Sequence, residues 1–471
     1  MRLPAVVVLL SVLCSSRASA QEIRSDVTYV KRGRIELKLD IALPKKEGRM
    51  RPALLCFHGG GWVGGDKGRF KQLLPMLAQQ GYVAVSVQYR LAGIKRWPAQ
   101  LDDVRDAMKW VLDHADELGI DRERIGVLGE SAGAQLAMML GYQPKEDSNE
   151  VRVRAVANLF GPTDMRQKEE IKRGRPLVEA LIGKNLDEDV GDILKEISPA
   201  TFVDRTDPPT MTVHGEKDTL VPFNQAEIIR DVLKKTQIPG QFMPLAGTGH
   251  GYGRNYNDVM ARVAKFGASY LLPPKMPLVA YEDFEKGTKQ WEFTDEAAWK
   301  LDKVDRRSFI SLTVKKSDYQ PKVRSPHNIA LLKSKAVRDF VLDVDMRSTN
   351  EVYGHQDLCV FFGHQDASHF YYVHLGRKAD AHANSIFLVN GKPRVSIAKE
   401  RTDGTDWSRG WHRVRIKRDV KSGAIEVFFD DMDKPVMKTI DKTFKSGRVG
   451  IGSFDDKGDF DAIRLWGHVT K

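Results

Sequence analysis

The chain has 471 residues, a formal net charge of +11, and apolar, aromatic and charged fractions of 41%, 8% and 29%. That length exceeds one ordinary hydrophobic core, so two or three domains are expected, and the composition is that of a folded globular protein. The positive charge is spread over both halves without a dense Lys/Arg block, which speaks against a nucleic-acid partner, and 3 cysteines cannot build a disulfide framework.

The first stretch, "MRLPAVVVLLSVLCSSRASA", has an early Arg2, an apolar run and the small-residue ending Ala18-Ser19-Ala20. That layout predicts a signal peptide over residues 1–20, with the run too short to span a bilayer. Leu13 before Cys14 is too large for lipoprotein cleavage. Cleavage removes Arg2 and Arg17 and leaves a charge of about +9. It also leaves only Cys56 and Cys359, too far apart in sequence for a cysteine zinc site. The expected location is secreted or periplasmic, with no membrane contact after cleavage.

From Val27 to about Leu272, strand-like and helix-like segments alternate. "VTYVKRGRIELKLDIAL" reads as two strands around a Lys31–Arg34 turn. "PALLCFH" and "YVAVSVQY" are short apolar runs of the buried parallel type. "PAQLDDVRDAMKWVLDHADEL" starts at Pro98 and carries Leu101, Val104, Met108, Val111 and Leu112 at helical spacing. Then come the strand "RIGVLG", the helix "SAGAQLAMMLG", the strands "VRAVANLFG", "PPTMTVHG" and "GQFMPLAG", and the helices "NQAEIIRDVLKKT" and "NDVMARVAKFGASYL". This order predicts an α/β domain over 21–272 with a mostly parallel, doubly wound sheet. Residues 162–207 break the rhythm and fit either a cap over a site or peripheral decoration. "LLPPKMPL" marks a linker at 273–278. After it, short strand-like runs separated by Gly, Asp, Asn and Lys turns, "NIALLKS", "DFVLDVDMR", "LCVFFG", "HFYYVHLG", "SIFLVNG", "RVSIAKE", "HRVRIKRD", "AIEVFFDD", "RVGIGSF" and "DAIRLWG", predict an all-β sandwich of jelly-roll type over 279–471.

Gly129-Glu130-Ser131-Ala132-Gly133 is a G-x-S-x-G motif between a strand and a helix, the context a nucleophile elbow requires. The sharp turn excludes a Cβ at the glycines and lifts the serine oxygen to a helix N-terminus. A serine hydroxyl needs a base, itself held by an acid. His250 in "LAGTGHGYG" and Asp218 in "MTVHGEKDTLVP" follow later strands in the Ser, Asp, His chain order. Asp164 in "FGPTDM" competes for the acid role; Asp218 is preferred because its strand directly precedes that of the histidine. His214 reads as structural and His114 as a surface residue.

"CFHGGGWVGGDKG", Cys56 to Gly68, holds six glycines. It is not a phosphate loop, because Asp66 precedes Lys67 and Gly68 stands where Ser or Thr is needed. No acid ends "VAVSVQYR", so a dinucleotide fingerprint fails as well.

Four motifs together, His58-Gly59-Gly60-Gly61-Trp62, Gly129–Gly133, "HGEKDTLVP" and "GTGHGY", resemble the α/β-hydrolase superfamily over about 250 residues. Within it the chain resembles the hormone-sensitive-lipase-like and bacterial feruloyl-esterase-like carboxylesterases. "SVQYRLAG" is similar to a stretch of those enzymes, with Gln88 where an aspartate is common. The resemblance implies a catalytic set of Ser131, Asp218 and His250, and an oxyanion hole from the N–H groups of Gly60, Gly61 and Ala132. His58 and Trp62 would support that loop, while Gly64, Gly65 and Gly68 fit a turn before a helix from Arg69 and Lys67 becomes a surface residue. No metal or cofactor is expected. The expected function is a secreted serine carboxylester hydrolase acting on short-chain or aromatic esters, of the acetyl or feruloyl type, on polysaccharide. Its rivals are a prolyl-oligopeptidase-type peptidase, a lipase, and a carbohydrate-binding protein with an inactive hydrolase domain.

The second domain resembles concanavalin-like (laminin-G-like) jelly rolls on "YEDFEKGTKQWEF" and "GSFDDKGDFDAIRLWG", without a clear E-x-D-x-x-E glycosidase motif, so carbohydrate binding or a structural role is expected. Its His355, His364, His369, His374 and His382 could suggest a metal, but alternation puts His369 and His374 on opposite faces of one strand. Phe370, Tyr372 and His374 share a face suited either to stacking on sugar or to core packing.

Overall fold

The computed structural model describes residues 22–45, 50–142, 153–167, 172–204, 207–236, 238–304, 307–333, 336–351 and 353–470. The expected signal peptide lies outside the described residues, as do residues 168–171 and 205–206 of the 162–207 insertion. No helix among the described residues is long and apolar enough to cross a membrane.

Eight strands form the N-terminal sheet: β1 (Glu22–Arg32), β2 (Ile35–Leu43), β3 (Arg51–Phe57), β4 (Val83–Val87), β5 (Ile120–Glu130), β6 (Val153–Leu159), β7 (Thr210–Gly215) and β8 (Gly240–Leu245). Their order is β1-β2-β4-β3-β5-β6-β7-β8. β1 and β2 form an antiparallel hairpin and β2 meets β4 antiparallel, while every pair from β4 to β8 is parallel. Helices cover both faces, which is why the central strands are apolar throughout rather than alternating. Along β3, Ala53, Leu55 and Phe57 join one core, with helices Ala99–Asp113 and Ala132–Tyr142. Leu54 and Cys56 join the other, with helices Leu73–Gln79 and Tyr256–Tyr270. The insertion contributes helices Arg175–Ile182 and Gly191–Glu196, and Val178, Leu181 and Leu194 bury into the first core.

The glycine-rich segment leads into a 3-10 turn, Lys67–Phe70, before the helix Leu73–Gln79. Lys67 is not the surface residue expected. Its ammonium lies 2.9 Å from Asp26 Oδ1 and 2.7 Å from Asp40 Oδ1, tying this segment to the β1–β2 hairpin.

The C-terminal region holds two antiparallel sheets, of seven and nine strands, that share one core. Leu358, Val360 and Phe362 face it from one sheet, Leu342, Val344 and Met346 from the other. Most expected strands form, but "RVSIAKE" yields only the two-residue strands Val395–Ser396 and Glu400–Arg401. Five strands were not expected: Leu278–Glu282, Trp291–Phe293, Trp299–Val304, Arg307–Leu312 and Met437–Ile440. The expected linker 273–278 gives up its last residue, since Leu278 already pairs with Trp466. Phe370 and Tyr372 are fully buried against Phe361 and Phe387, so that face is core rather than an open stacking platform.

The nine-stranded sheet turns a charged face towards the N-terminal unit. Asp343 and Asp345 on Val337–Ser348, Arg413 and Arg415 on His412–Arg418, and Arg464 on Gly458–Val469 are mostly or wholly shielded from solvent. Arg464 makes two parallel bonds to Asp121, of 2.8 and 3.1 Å. Arg154 bridges Glu123 at 2.5 Å and Asp345 at 2.6 Å. Arg415 pairs with Asp343 and donates to the Ser269 carbonyl at 3.0 Å. Arg124 pairs with Asp121 at 2.9 Å and lies over the Trp466 ring; burial pulls its pKa down to about 10. Phe428 and Met432 insert into the core around the Tyr256–Tyr270 helix. Asp121, Arg124 and Arg154 stand at the N-terminal ends of β5 and β6. The sandwich therefore seats on the end of the sheet opposite Ser131, roughly 30 Å away at ~3.3 Å per strand residue.

Candidate active site

Ser131 follows β5 directly and opens helix Ala132–Tyr142. Its φ is +52, in the left-handed region that an L side chain rarely adopts. The flanking glycines make that turn possible. A Cβ on Gly129 would stand 2.1 Å from the Gly133 carbonyl oxygen, and one on Gly133 would stand 2.1 Å from that of Phe57. Ser131 N–H donates to Leu159 O at 2.9 Å, which fixes the turn to the end of β6.

His250 and Asp218 arrive on the loops after β8 and β7. His250 Nε2 lies 2.9 Å from Ser131 Oγ, and Nδ1 lies 2.7 Å from Asp218 Oδ2. Asp218 Oδ1 accepts the N–H groups of Leu220 and Val221 at 2.9 and 3.0 Å, so the loop itself orients the carboxylate. Burial alone would raise the Asp218 pKa, but bonds from His214 and His250 outweigh it and hold the carboxyl far below its usual range. Asp164, the competing acid, is engaged elsewhere: Arg166 forks onto its two oxygens at 2.8 and 2.7 Å.

Two positioning contacts were not anticipated. His214 is fully buried; its Nε2 donates to Val221 O at 2.8 Å and sits 3.2 Å from Asp218 Oδ2, the oxygen that also meets His250. Phe160, with φ +47, packs its ring edge-on to His250 at 5.1 Å. The strand-like run "VRAVANLFG" marks Phe160 only as a strand end, and nothing local in the sequence gives it a second role.

The glycine loop lies against this turn. Gly60 and Gly61 have φ of +115 and +59. Among the described residues no hydrogen-bond acceptor takes the N–H of Gly60, Gly61 or Ala132, and Gly61 and Ala132 line the same cavity as Ser131. His58 donates from Nδ1 to the Gly59 carbonyl at 2.7 Å and stacks on Tyr89 with ring centroids 4.2 Å apart. Tyr89 in turn donates its hydroxyl to His58 O at 2.8 Å, which gives the "QYR" stretch a bracing role. Burial lowers the His58 pKa, so the ring stays neutral at pH 7. Gly65 belongs to this brace: a Cβ there would stand 2.6 Å from His58 Nδ1. Trp62 is buried, with φ +61, and donates its indole N–H to Gln135 at 3.2 Å.

Beside Ser131 is an apolar cavity of about 30 Å³, walled by Trp62, Met165, Leu177, Val178, Leu220 and Val221. Leu177 and Val178 come from the insertion, which thus forms part of the wall. A separate open groove of about 520 Å³ runs along loop 246–255 and includes His250 and Arg254. The C-terminal histidines do not converge. His355 pairs with Asp380, His369 with Asp366, and His364 stacks on Phe370. Among the described residues no group of three or more His, Cys, Asp or Glu side chains is placed to hold a metal ion.

Residues 39–233 match the family model BD-FAE. Among curated proteins the chain is 30% identical over 215 residues to Esterase LipC of Mycobacterium tuberculosis, covering 43% of this chain and 53% of that one. It is 30% identical over 221 residues to Esterase LipQ of the same organism, covering 45% and 52%. The chain thus spans about half the length of these curated relatives. A solved structure of a truncated carbohydrate esterase from gut microbiota is similar at 26% identity and a TM-score of 0.46, over 52% of this chain and 96% of that one. Over residues 39–233, then, the mostly parallel α/β unit is similar to the BD-FAE family, and esterases are among the curated proteins it resembles.

Proposed function

We propose that the protein is a serine carboxylester hydrolase that removes short acyl groups, of acetyl size, from a hydroxyl of a polysaccharide. The observation that carries this reading is the unbroken relay of short contacts from Ser131 Oγ through His250 to Asp218, beside three N–H groups without acceptors among the described residues. In this mechanism His250 Nε2 takes the Ser131 proton as Oγ attacks the ester carbonyl. Asp218 steadies the imidazolium, and the N–H groups of Gly60, Gly61 and Ala132 receive the oxyanion. His250 then returns the proton to the leaving alcohol, and water attacks the acyl-enzyme by the same route. None of these steps calls on a metal or cofactor.

The acyl preference rests on the small apolar cavity beside Ser131, narrowed by Trp62, Met165 and Leu177, which suits a short alkyl group. The open groove along His250 and Arg254 suits a bulky, polar alcohol such as a sugar. Secretion is proposed from the leader-like residues 1–20. The sandwich is assigned a concanavalin-like role in holding the hydrolase unit, with carbohydrate binding secondary, because its seat lies far from Ser131. The test is a panel of nitrophenyl acetate, butyrate and octanoate with methyl ferulate, run on wild type and Ser131→Ala. The reading expects the acetate to be fastest and all turnover to vanish in the variant. Turnover that survives Ser131→Ala, or a rate that rises towards octanoate, would overturn it.

A further inference from the structure

Glu130, the variable residue of the elbow motif, is buried directly before Ser131, and both of its oxygens are occupied. Arg69 forks onto it, Nε to Oε2 at 2.6 Å and Nη2 to Oε1 at 3.1 Å. Tyr252 donates its hydroxyl to Oε1 at 2.6 Å. The three residues come from the three segments that build the site. Arg69 follows the glycine loop, Glu130 immediately precedes the serine, and Tyr252 lies two residues after His250. Tyr252 is also edge-on to Phe160, whose ring is edge-on to His250. Burial, and then the neighbouring Glu130 charge, push the Tyr252 phenol far above its usual pKa, so it remains a donor.

We propose that Arg69, Glu130 and Tyr252 form a clamp that sets the spacing of the oxyanion loop, Ser131 and His250, and that Arg69 cancels a carboxylate charge that would otherwise oppose the reaction. The inference rests on the esterase reading. A buried carboxylate one residue from the attacking oxygen disfavours a developing oxyanion and favours the protonated, inactive form of the base. Glu130 is needed as the single group that can receive both other segments. Arg69 makes its charge tolerable, because a forked guanidinium pair in a partly buried place is close to neutral at a distance. The other titratable groups near Glu130 are Tyr256, Cys56 and His58. Those in contact with His250 are Asp218 and Ser131, with His214 behind Asp218. None of them is a cation that could replace Arg69. These are positioning residues, since none of the three touches the reacting atoms.

The experiment compares Arg69→Met, the double variant Arg69→Met/Glu130→Gln, and Tyr252→Phe with wild type on nitrophenyl acetate across pH, with thermal melts alongside. Arg69→Met should lower kcat about tenfold and move the acid limb of kcat/KM upward by about half a pH unit. The double variant should return that limb to the wild-type position, because the glutamine oxygen still accepts from Tyr252 while the charge is gone. Tyr252→Phe keeps the ring and its packing, so kcat should fall with KM little changed. An acid limb that stays put in Arg69→Met while only the melting point drops would overturn the proposal, as would a double variant that behaves like the single one. The same shift is readable without turnover, by following the His250 ring protons through a pH titration of Ser131→Ala with and without Arg69→Met. A wild type with no Ser131-dependent turnover would remove the esterase reading, and that titration would still decide the clamp.

Discussion

Arg464 and Asp121, 343 positions apart in the chain, meet through two parallel hydrogen bonds in a site almost closed to water. The pair sits in a largely buried set that also contains Arg124, Arg154, Arg413, Arg415, Asp343 and Asp345, with Glu123 at its half-exposed edge. Such groups hold two units together less by net attraction than by the penalty for leaving any one of them alone.

Arg464→Met should therefore strip Asp121 of its forked partner and cost about 3–5 kcal/mol of stability. Urea unfolding should show the loss, with the two units still melting in one transition. A stable Arg464→Met protein, or two separate transitions in wild type, would mean that the sandwich is a tethered module. On the same ground, a chain ending at Leu272 should fold poorly, because Asp121 would lose Arg464, Arg124 the Trp466 ring and Arg154 its bond to Asp345.

Gly60 and Gly61 should not respond alike to alanine. At Gly60 the new Cβ would stand 2.2 Å from the Gly64 carbonyl oxygen, a backbone atom that cannot yield without moving the loop. At Gly61 it would meet the Leu177 side chain at 2.6 Å, which can turn aside. Gly60→Ala should lose about 2.7–4 kcal/mol of transition-state stabilisation, the range for one oxyanion donor, and Gly61→Ala less. Steady-state kcat on nitrophenyl acetate checks both.

Leu177→Ala should open the small cavity towards the insertion. Butyrate and longer esters should then gain on acetate in kcat/KM by about tenfold, roughly the worth of one or two methylenes in an apolar pocket. An unchanged chain-length profile would place the acyl group elsewhere.

The sandwich should show opposed pH effects on stability. Burial pushes Asp357 and Asp456 up to about 6, so their contribution is complete below the ordinary carboxylate range and is lost as pH rises through about 6. Burial, with nearby Arg394 and Arg448, pushes His374 down to about 3 and His364 down to about 4. Their contribution is complete above the ordinary histidine value and is lost as pH falls towards those values. Between about pH 4.5 and 6 the two losses offset each other. Asp357→Asn removes one side of that balance. Relative to wild type, its stability should fall by about 1.4 kcal/mol for each pH unit of acidification in this window, measured by urea unfolding at several pH values.

Much of the N-terminal fold was legible because its signals are local. Buried runs such as "PALLCFH" and the helical spacing of Leu101, Val104 and Met108 each reflect one element packing on its neighbours. The meeting of Ser131, Asp218 and His250 was legible because the elbow's steric demand leaves glycines in the sequence and chain order supplies the rest. Asp343, Asp345, Arg413, Arg415 and Arg464 were not. They alternate with core residues as a solvated strand face does, and only the docked N-terminal unit buries them. Strand Trp299–Val304 was missed for a related reason: mostly exposed, with Lys300, Asp302 and Lys303, it carries little apolar pattern. Glu130 fills a position that the motif leaves open, so its link to Tyr252, 122 positions later, appears only in three dimensions.

The central claim is that Ser131 is an activated nucleophile. Labelling of the full-length protein with a fluorophosphonate probe, followed by peptide mapping, tests it most directly. The account predicts one covalent adduct on Ser131, lost in Ser131→Ala and slowed at least a hundredfold in His250→Ala, on the order of what a base contributes. Labelling on another residue, or no labelling of the folded wild type, would contradict it.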